Sequence, residues 1–257
     1  MEAVLDPDKV LSMIMDGMAQ SHSELPYLAG KAEFPKKLKC HLQGSIIHGK
    51  GFTVYRTFHN VKPGSNLAIY VWLAQLEALM KDNGDKLPDT VCVQIDGGAE
   101  NANVALLGIA ELLVAKKLCK KVVITRLPPG PTHEDIDAMF GVIWNKFRSE
   151  SILTPQAMTE YFNAAFKRYE ETNKISTKII DIFAVPDYKK WIEGHMNPLS
   201  RMFKEEWAQL QIIMDESPVT SETPNGVRTS YRAYASNEVI ELFSTSQIQL
   251  TDEHRVA

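Results

Sequence analysis

The chain's 257 residues, 44% of them apolar, suffice to bury a sizeable core, and a formal net charge of -4 with a pI near 6.0 excludes an evenly basic nucleic-acid binder. No apolar run reaches the roughly 18 residues of a membrane span, and no basic stretch leads into an apolar signal core, so a non-exported, intracellular protein without membrane contact is expected. Cys40, Cys92 and Cys119 are too few and too widely spaced for a disulfide framework or a zinc site, and read as reduced core thiols.

Along the chain, Val10 to Met15 is a short apolar run that predicts a buried strand, and Gly17 lets the chain turn directly after Asp16. Residues 19 to 35 read as an insertion or long loop. From Lys37 to Ile47, apolar Leu38, Cys40 and Leu42 alternate with Lys37, Lys39 and His41; Gly49-Lys50-Gly51 then leads into Phe52 to Phe58, the pattern of a hairpin. Asn66 to Met80 has helical spacing and stops at Asn83-Gly84. After Pro88, Val91 to Ile95 is a second buried-type strand, ending on Asp96. A largely apolar helix over Asn103 to Leu118 follows, then a core strand over Val122 to Leu127. A helix opens at Thr132 and runs to about Arg148.

Residues 152 to 257 differ in texture. Thr154-Pro155 is a helix start with Pro at the first helical position, and that helix is expected through about Glu171. Further helices are expected around 187 to 195 and 199 to 214, with a polar linker over Ser217 to Gly226, a strand over Val227 to Ala235 and a frayed tail. The expected division is 1–150, an α/β domain with a mixed five-stranded sheet, and 151–257, a mostly helical extension.

Chemistry concentrates in three acids. Asp16 and Asp96 each end an apolar strand and precede Gly, which would deliver their carboxylates to the carboxyl edge of a sheet, where open α/β folds bind ligands. Such oxygens suit Mg2+ or Mn2+. In the helix from Thr132, Asp135 has capping-box spacing and reads as an N-terminal cap partner. Ile136, Met139, Phe140, Ile143 and Phe147 form the buried stripe, which leaves Asp137 on a neighbouring face with His133, Glu134, Gly141, Trp144 and Arg148. Glu100, Asn101 and Asn103 read equally as cap residues or as accessories to the site, and His133 and Glu134 are further accessories. Lys116, Lys117, Lys120, Lys121 and Arg148 are candidate phosphate contacts, as is a second basic cluster over residues 31 to 60 that includes Arg56.

The element order resembles the ribonuclease H-like fold of DDE transposases and retroviral integrases, in which the first and fourth strands lie side by side, each offering an Asp, and a later helix supplies the third acid. The 41 residues from Asp96 to Asp137 match that pattern. A closer resemblance is to an uncharacterised domain family of eukaryotic transposon-derived proteins. It rests on Met15-Asp16-Gly17-Met18, on Gln94-Ile95-Asp96 through Glu100-Asn101-Ala102-Asn103, and on Gly130-Pro131-Thr132-His133-Glu134-Asp135-Ile136-Asp137. The chain departs from that family pattern at Gly97, Ala102 and Pro131, where the family has Asn, Lys and His.

The resemblance implies a transposase- or integrase-like nuclease, with Asp16, Asp96 and Asp137 holding two Mg2+ or Mn2+ ions for phosphodiester cleavage or strand transfer. It also implies DNA as partner, self-association into a homo-oligomer and a nuclear location. The alternative is a domesticated, catalytically inactive descendant that binds nucleic acid or protein, which the acidic pI and the three departures favour. A 3'-to-5' exonuclease of the same fold fits less well, because His133 and Asp137 are four apart rather than five and the first strand has no Asp-x-Glu pair.

Overall fold

The computed structural model describes residues 9–29, 36–95, 104–126, 135–173, 175–193 and 211–215. Along β1 (Val10–Gly17) the side chains divide by parity: Leu11, Met13 and Met15 enter one buried cluster and Ile14 another. Successive residues of a strand point to opposite faces, so β1 is covered on both sides and occupies a central place. Its neighbours are β2 (His41–Ile47), antiparallel, and β4 (Thr90–Ile95), parallel. β2 turns through Gly49, at φ 79°, into antiparallel β3 (Gly51–Thr57). On the other side β5 (Lys121–Arg126) runs parallel to β4.

Helices cover the two faces. α1 (Ser65–Asp82) and α2 (Val104–Ala115) pack Trp72, Leu76, Leu106 and Leu113 onto the side of Met13 and Met15. The Asn83-Gly84 stop works as expected: Asn83 N–H donates to the carbonyls of Leu79 and Met80, and Gly84 takes φ 64°. α3 (Asp135–Phe147) and α4 (Pro155–Asn173) cover the side of Ile14, and the buried residues of α3 are the five of the predicted stripe. Thr154 Oγ1 accepts the Ala157 N–H at 3.1 Å, so the start read at Thr154-Pro155 is the one used. α5 (Tyr188–Glu193) closes the first face, tied to α1 by Lys189 N–H donating to Asn66 Oδ1 at 2.8 Å.

The α/β class with a mixed sheet flanked by helices is the observed architecture, but the sheet has seven strands, in the order β6-β3-β2-β1-β4-β5-β7. The two extra strands come from the region expected to be helical. β6 (Ser176–Ile182) runs parallel to β3, and β7 (Gln211–Asp215), which overlaps the end of the helix expected over 199 to 214, pairs antiparallel with β5. Residues past 150 therefore extend the same sheet at both edges. The reason is hydrogen bonding: an exposed strand edge is a row of unpaired donors and acceptors, and β3 and β5 find partners late in the chain. Residues 199–210 and the strand expected over Val227 to Ala235 lie outside the described residues.

β6 is locked to β3 by a charge pair. Buried Arg56 donates from Nε and Nη2 to the two Asp181 carboxylate oxygens at 2.6 and 2.9 Å, and from Nη1 to the Pro155 carbonyl at 2.6 Å. Its guanidinium is thus a structural tie between β3, β6 and the start of α4, not a phosphate contact.

Candidate functional site

Asp16 stands half-buried near the end of β1, with its Oδ1 accepting the Gly17 N–H at 2.7 Å. Parity puts it on the α3 face with Ser12 and Ile14. Its cross-strand partner on β2 is Gly44, and the missing side chain matters there: a Cβ on Gly44 would lie 2.8 Å from Phe140 Cζ. Phe140 fills that space and brings α3 onto the sheet beside Asp16. On the other flank of β1, Met15 is in register with Ile95, the residue before Asp96. Asp96 itself, with Glu100, Asn101, Asn103, His133 and Glu134, lies outside the described residues.

The first turn of α3 separates two acids that are adjacent in the sequence pattern. At 100° per residue, Asp135 and Asp137 project about 200° apart around the helix. Both are exposed. Asp137 shares a flank with Phe140, Gly141 and Trp144, and a Cβ on Gly141 would meet nothing within 4 Å, so there is open space at Gly141, one turn along from Asp137. Farther along this flank, Trp144 stacks on His22 with ring centroids 3.9 Å apart, and Tyr27 meets the same indole edge-on at 5.6 Å. The segment read as a long loop is therefore pinned to α3, with Tyr27 also bridged to Ile152. Exposed Arg148 ends this flank.

Asp135 turns to the other flank. Its Oδ2 lies 3.3 Å from His48 Nε2, and His48 Nδ1 lies 3.0 Å from Ser12 Oγ on β1. This contact spans 87 residues of sequence, beyond the reach of the local cap pattern from which the role of Asp135 was read.

The four lysines do not join the acids. Lys116 and Lys117 follow α2, and Lys120 and Lys121 precede or open β5, where Lys121 is in register with Thr90, the first residue of β4. They sit at the amino edge of the parallel strands, about 16 Å of strand away from the end that carries Ile95. Lys120 Nζ is ion-paired to Asp89 Oδ2 at 2.7 Å.

His41 and Gln43 were not singled out in the sequence, yet they stand against the turn after Asp16. A Cβ on Gly17 would lie 3.1 Å from His41 Cε1, and His41 Nε2 is 3.2 Å from Gln43 Oε1. The only signal for them was their polar character opposite Leu42 in the alternation. Two of the thiols are poor candidates for nucleophiles: burial pushes Cys40 up to about 11 and Cys119 up to about 12. Among the described residues no three His, Cys, Asp or Glu side chains gather into a group able to hold a metal ion. None of the described helices is long and apolar enough to cross a membrane.

No curated protein and no solved structure matches the chain. A family model described as a domain of unknown function, DUF7869, matches residues 31–221, about three quarters of the chain, a span that includes Asp96 and Asp137 and begins after β1. The chain therefore belongs to the DUF7869 family.

Proposed function

We propose that the protein is a transposase- or integrase-like nuclease of ribonuclease H-like fold, in which Asp16, Asp96 and Asp137 hold two Mg2+ or Mn2+ ions. The observation that supports this reading best is the pairing of β1 with β4: the strands are parallel neighbours, and Met15 and Ile95, each followed by an Asp, are register partners. The five inner strands, ordered β3-β2-β1-β4-β5 with only β2 antiparallel, agree with that fold.

The donor set fits the ions, since carboxylate oxygens are their preferred ligands and the Gly17 N–H holds the Asp16 carboxylate in one orientation. Asp16 and Asp96 would hold one ion and Asp137 would complete the hold on the second. Bound there, the pair would activate water or a 3'-hydroxyl and neutralise the leaving oxygen. The chain's own contribution is placement: β1 holds Asp16 beside β4, whose last residue Ile95 precedes Asp96 in the sequence, and Phe140 seated over Gly44 brings in α3, the helix that carries Asp137. A DNA partner, self-association and a nuclear location belong to this reading.

The test is cleavage or strand transfer on DNA with Mg2+ or Mn2+ supplied. Asp16→Asn, Asp96→Asn and Asp137→Asn should each lower the rate about 100-fold or more, because the metals supply several kcal/mol and about 1.4 kcal/mol is tenfold in rate. Activity that survives Asp96→Asn and Asp137→Asn would sink the proposal.

One observation favours a second reading, a catalytically inactive scaffold that binds nucleic acid or protein. The lysine cluster stands at the sheet edge opposite Asp16, where it could not position a phosphate for those acids. DNA retention without metal-dependent cleavage, lost on Lys116→Ala and Lys117→Ala together, would favour the scaffold.

A further inference from the structure

We infer that the outer edge of β6 is a docking site for an acidic, extended segment of another protein, which adds a strand to the sheet and rests an apolar side chain on Phe183. β6 ends the strand order, and among the described residues no strand pairs with its outer side. Such an edge presents a row of unpaired N–H and C=O groups, here over seven residues. β3 and β2 stand between β6 and β1, so the edge lies about 14 Å across the sheet from the strand of Asp16, apart from the metal reading.

Apolar surface stays open at this edge. Among the described residues the exposed large apolar side chains are Leu153, Ile180 and Phe183. Ile180 lies on β6 and Phe183 directly follows it. Leu153 is two residues before Pro155, whose carbonyl accepts from the same Arg56 that holds Asp181 of β6. Scattered apolar residues are ordinary on a surface, whereas a group of them gathered at one strand edge marks an interaction site.

Phe183 is held in place before any partner arrives. Its ring stacks on Phe58 with centroids 5.7 Å apart and planes 13° from parallel, and its carbonyl accepts the Asn60 side-chain N–H. The Arg56 guanidinium lies 5.6 Å from the Phe58 ring centroid. An anchor fixed in this way loses little freedom on binding. Ile180 shares the parity of Ile182, which packs on the α1 side, while Phe183 stacks on a residue of the α4 side. One added strand therefore meets both with apolar residues three apart, because its own side chains alternate between the faces.

Charge selects the occupant. Lys62, Lys178, Lys189 and Lys190 are exposed on β6 and on the two connections that follow β3 and β6. Those connections are tied together by Asn60 to Phe183 and by Asn66 to Asp187. Acids on the same elements face other partners: Asp181 pairs with Arg56, and Asp187 accepts from Asn66 Nδ2 and the Lys190 N–H. Glu170 of α4 accepts from the Thr177 N–H and hydroxyl. A second copy would set these lysines against themselves, whereas an acidic strand meets them with opposite charge.

Fluorescence anisotropy with the full chain tests the edge. The probe is a labelled peptide of about eight residues, glutamate and threonine throughout except for a valine and a phenylalanine three apart. Phe183→Ala and Lys178→Glu should each weaken its binding about tenfold, the size expected of residues that carry an interface. Both side chains are exposed, so unfolding midpoints should stay close to that of the unmodified protein. Lysine in place of the peptide's glutamates should weaken binding at least as much. N-methylation of alternate peptide residues should abolish binding in one frame and leave it within about threefold in the other, because only every second N–H of an added strand faces the sheet. No binding of the glutamate peptide, equal binding in both frames, a lysine peptide that binds as well, or indifference to Phe183→Ala would overturn the proposal. So would a dimer in sedimentation that Phe183→Ala dissociates, which assigns the edge to a second copy. Binding of a labelled oligothymidine that Phe183→Ala abolishes would overturn it as well, in favour of nucleic acid.

Discussion

Under α1, α2 and α5, β4 presents Val91, Val93 and Ile95 at 0–1% exposure, sealed by a continuous apolar layer; on its other side the same strand shows half-buried Thr90, Cys92 and Gln94. The packing of α3 and α4 lies over β1, β2, β3 and β6, where Ile14, Leu42, Phe52, Val54 and Ile179 meet it. One face thus behaves as a foundation, and on the other the packing of the described residues is tight over β1, β2, β3 and β6 and leaves one side of β4 half-buried. The contacts of His48 with Ser12 and Asp135, the seat of Phe140 over Gly44 and the open space at Gly141 all belong to the second face. Among the described residues, the burial on β4 is concentrated on the foundation side, behind Thr90, Cys92 and Gln94.

Trp72 tests the foundation most severely. It is fully buried in α1, and truncating such a residue to alanine removes its transfer energy and leaves a cavity, about 3–5 kcal/mol in sum. Trp72→Ala should lower the denaturant midpoint accordingly, while the Mn2+ affinity of the folded fraction stays unchanged. An affinity that falls after correction for unfolding would join the two faces into one functional unit and break the comparison.

Gly44→Ala probes the other face at smaller cost. The new methyl group would lie 2.8 and 2.9 Å from two atoms of the Phe140 ring and 3.1 Å from Phe52 Cε2. Overpacking of this kind costs about 1–3 kcal/mol. Because the ring must lift, α3 lifts with it, and metal affinity should fall together with stability, in contrast to Trp72→Ala. Phe140→Leu in the same chain should restore both; stability recovered without affinity would mean that Phe140 itself, and not the height of α3, sets the site.

The faces also differ in how much of them could be read from residues alone. β1, β4 and β5 were legible as apolar runs between turn residues, and the stripe of α3 was legible because helical periodicity marks a buried face directly. β6 was not. It lies at the sheet edge, with Ser176, Lys178, Ile180 and Asp181 exposed, so its apolar alternation is broken, and its pairing with β3 depends on Arg56 and Asp181, 125 residues apart. The run of β7, Gln211 to Asp215, is too short to distinguish a period of 2 from one of 3.6. In the candidate site, strand-end position singled out Asp16, and helix phase separated Asp137 from Asp135. The partner of Asp135 stayed hidden because a capping pattern is local and His48 is not. The lysines were legible as a local cluster, but the edge they occupy is decided by strand direction: residues that precede parallel strands stand at the amino edge, away from acids that follow them.

The mildest test concerns a defect in the sealed face. Thr57 Oγ1 at the end of β3 is fully buried and makes no hydrogen bond among the described residues, and the same holds for Ser45 Oγ, Trp72 Nε1 and Tyr188 OH. Parity places Thr57 on the foundation side, where its partner Ile182 on β6 joins the apolar cluster. A buried hydroxyl without a partner has lost its hydration and gained nothing in return. Thr57→Val keeps the branched shape that suits a strand and removes the stranded oxygen, so it should raise stability by up to about 1 kcal/mol in equilibrium unfolding. Ser45→Ala should gain less, because it removes volume as well as polarity. A loss of stability on Thr57→Val would show the hydroxyl to be bonded, and the face behind the candidate site would then be a hydrated layer able to rearrange with it, not the dry support that the packing of Trp72 and Leu76 describes.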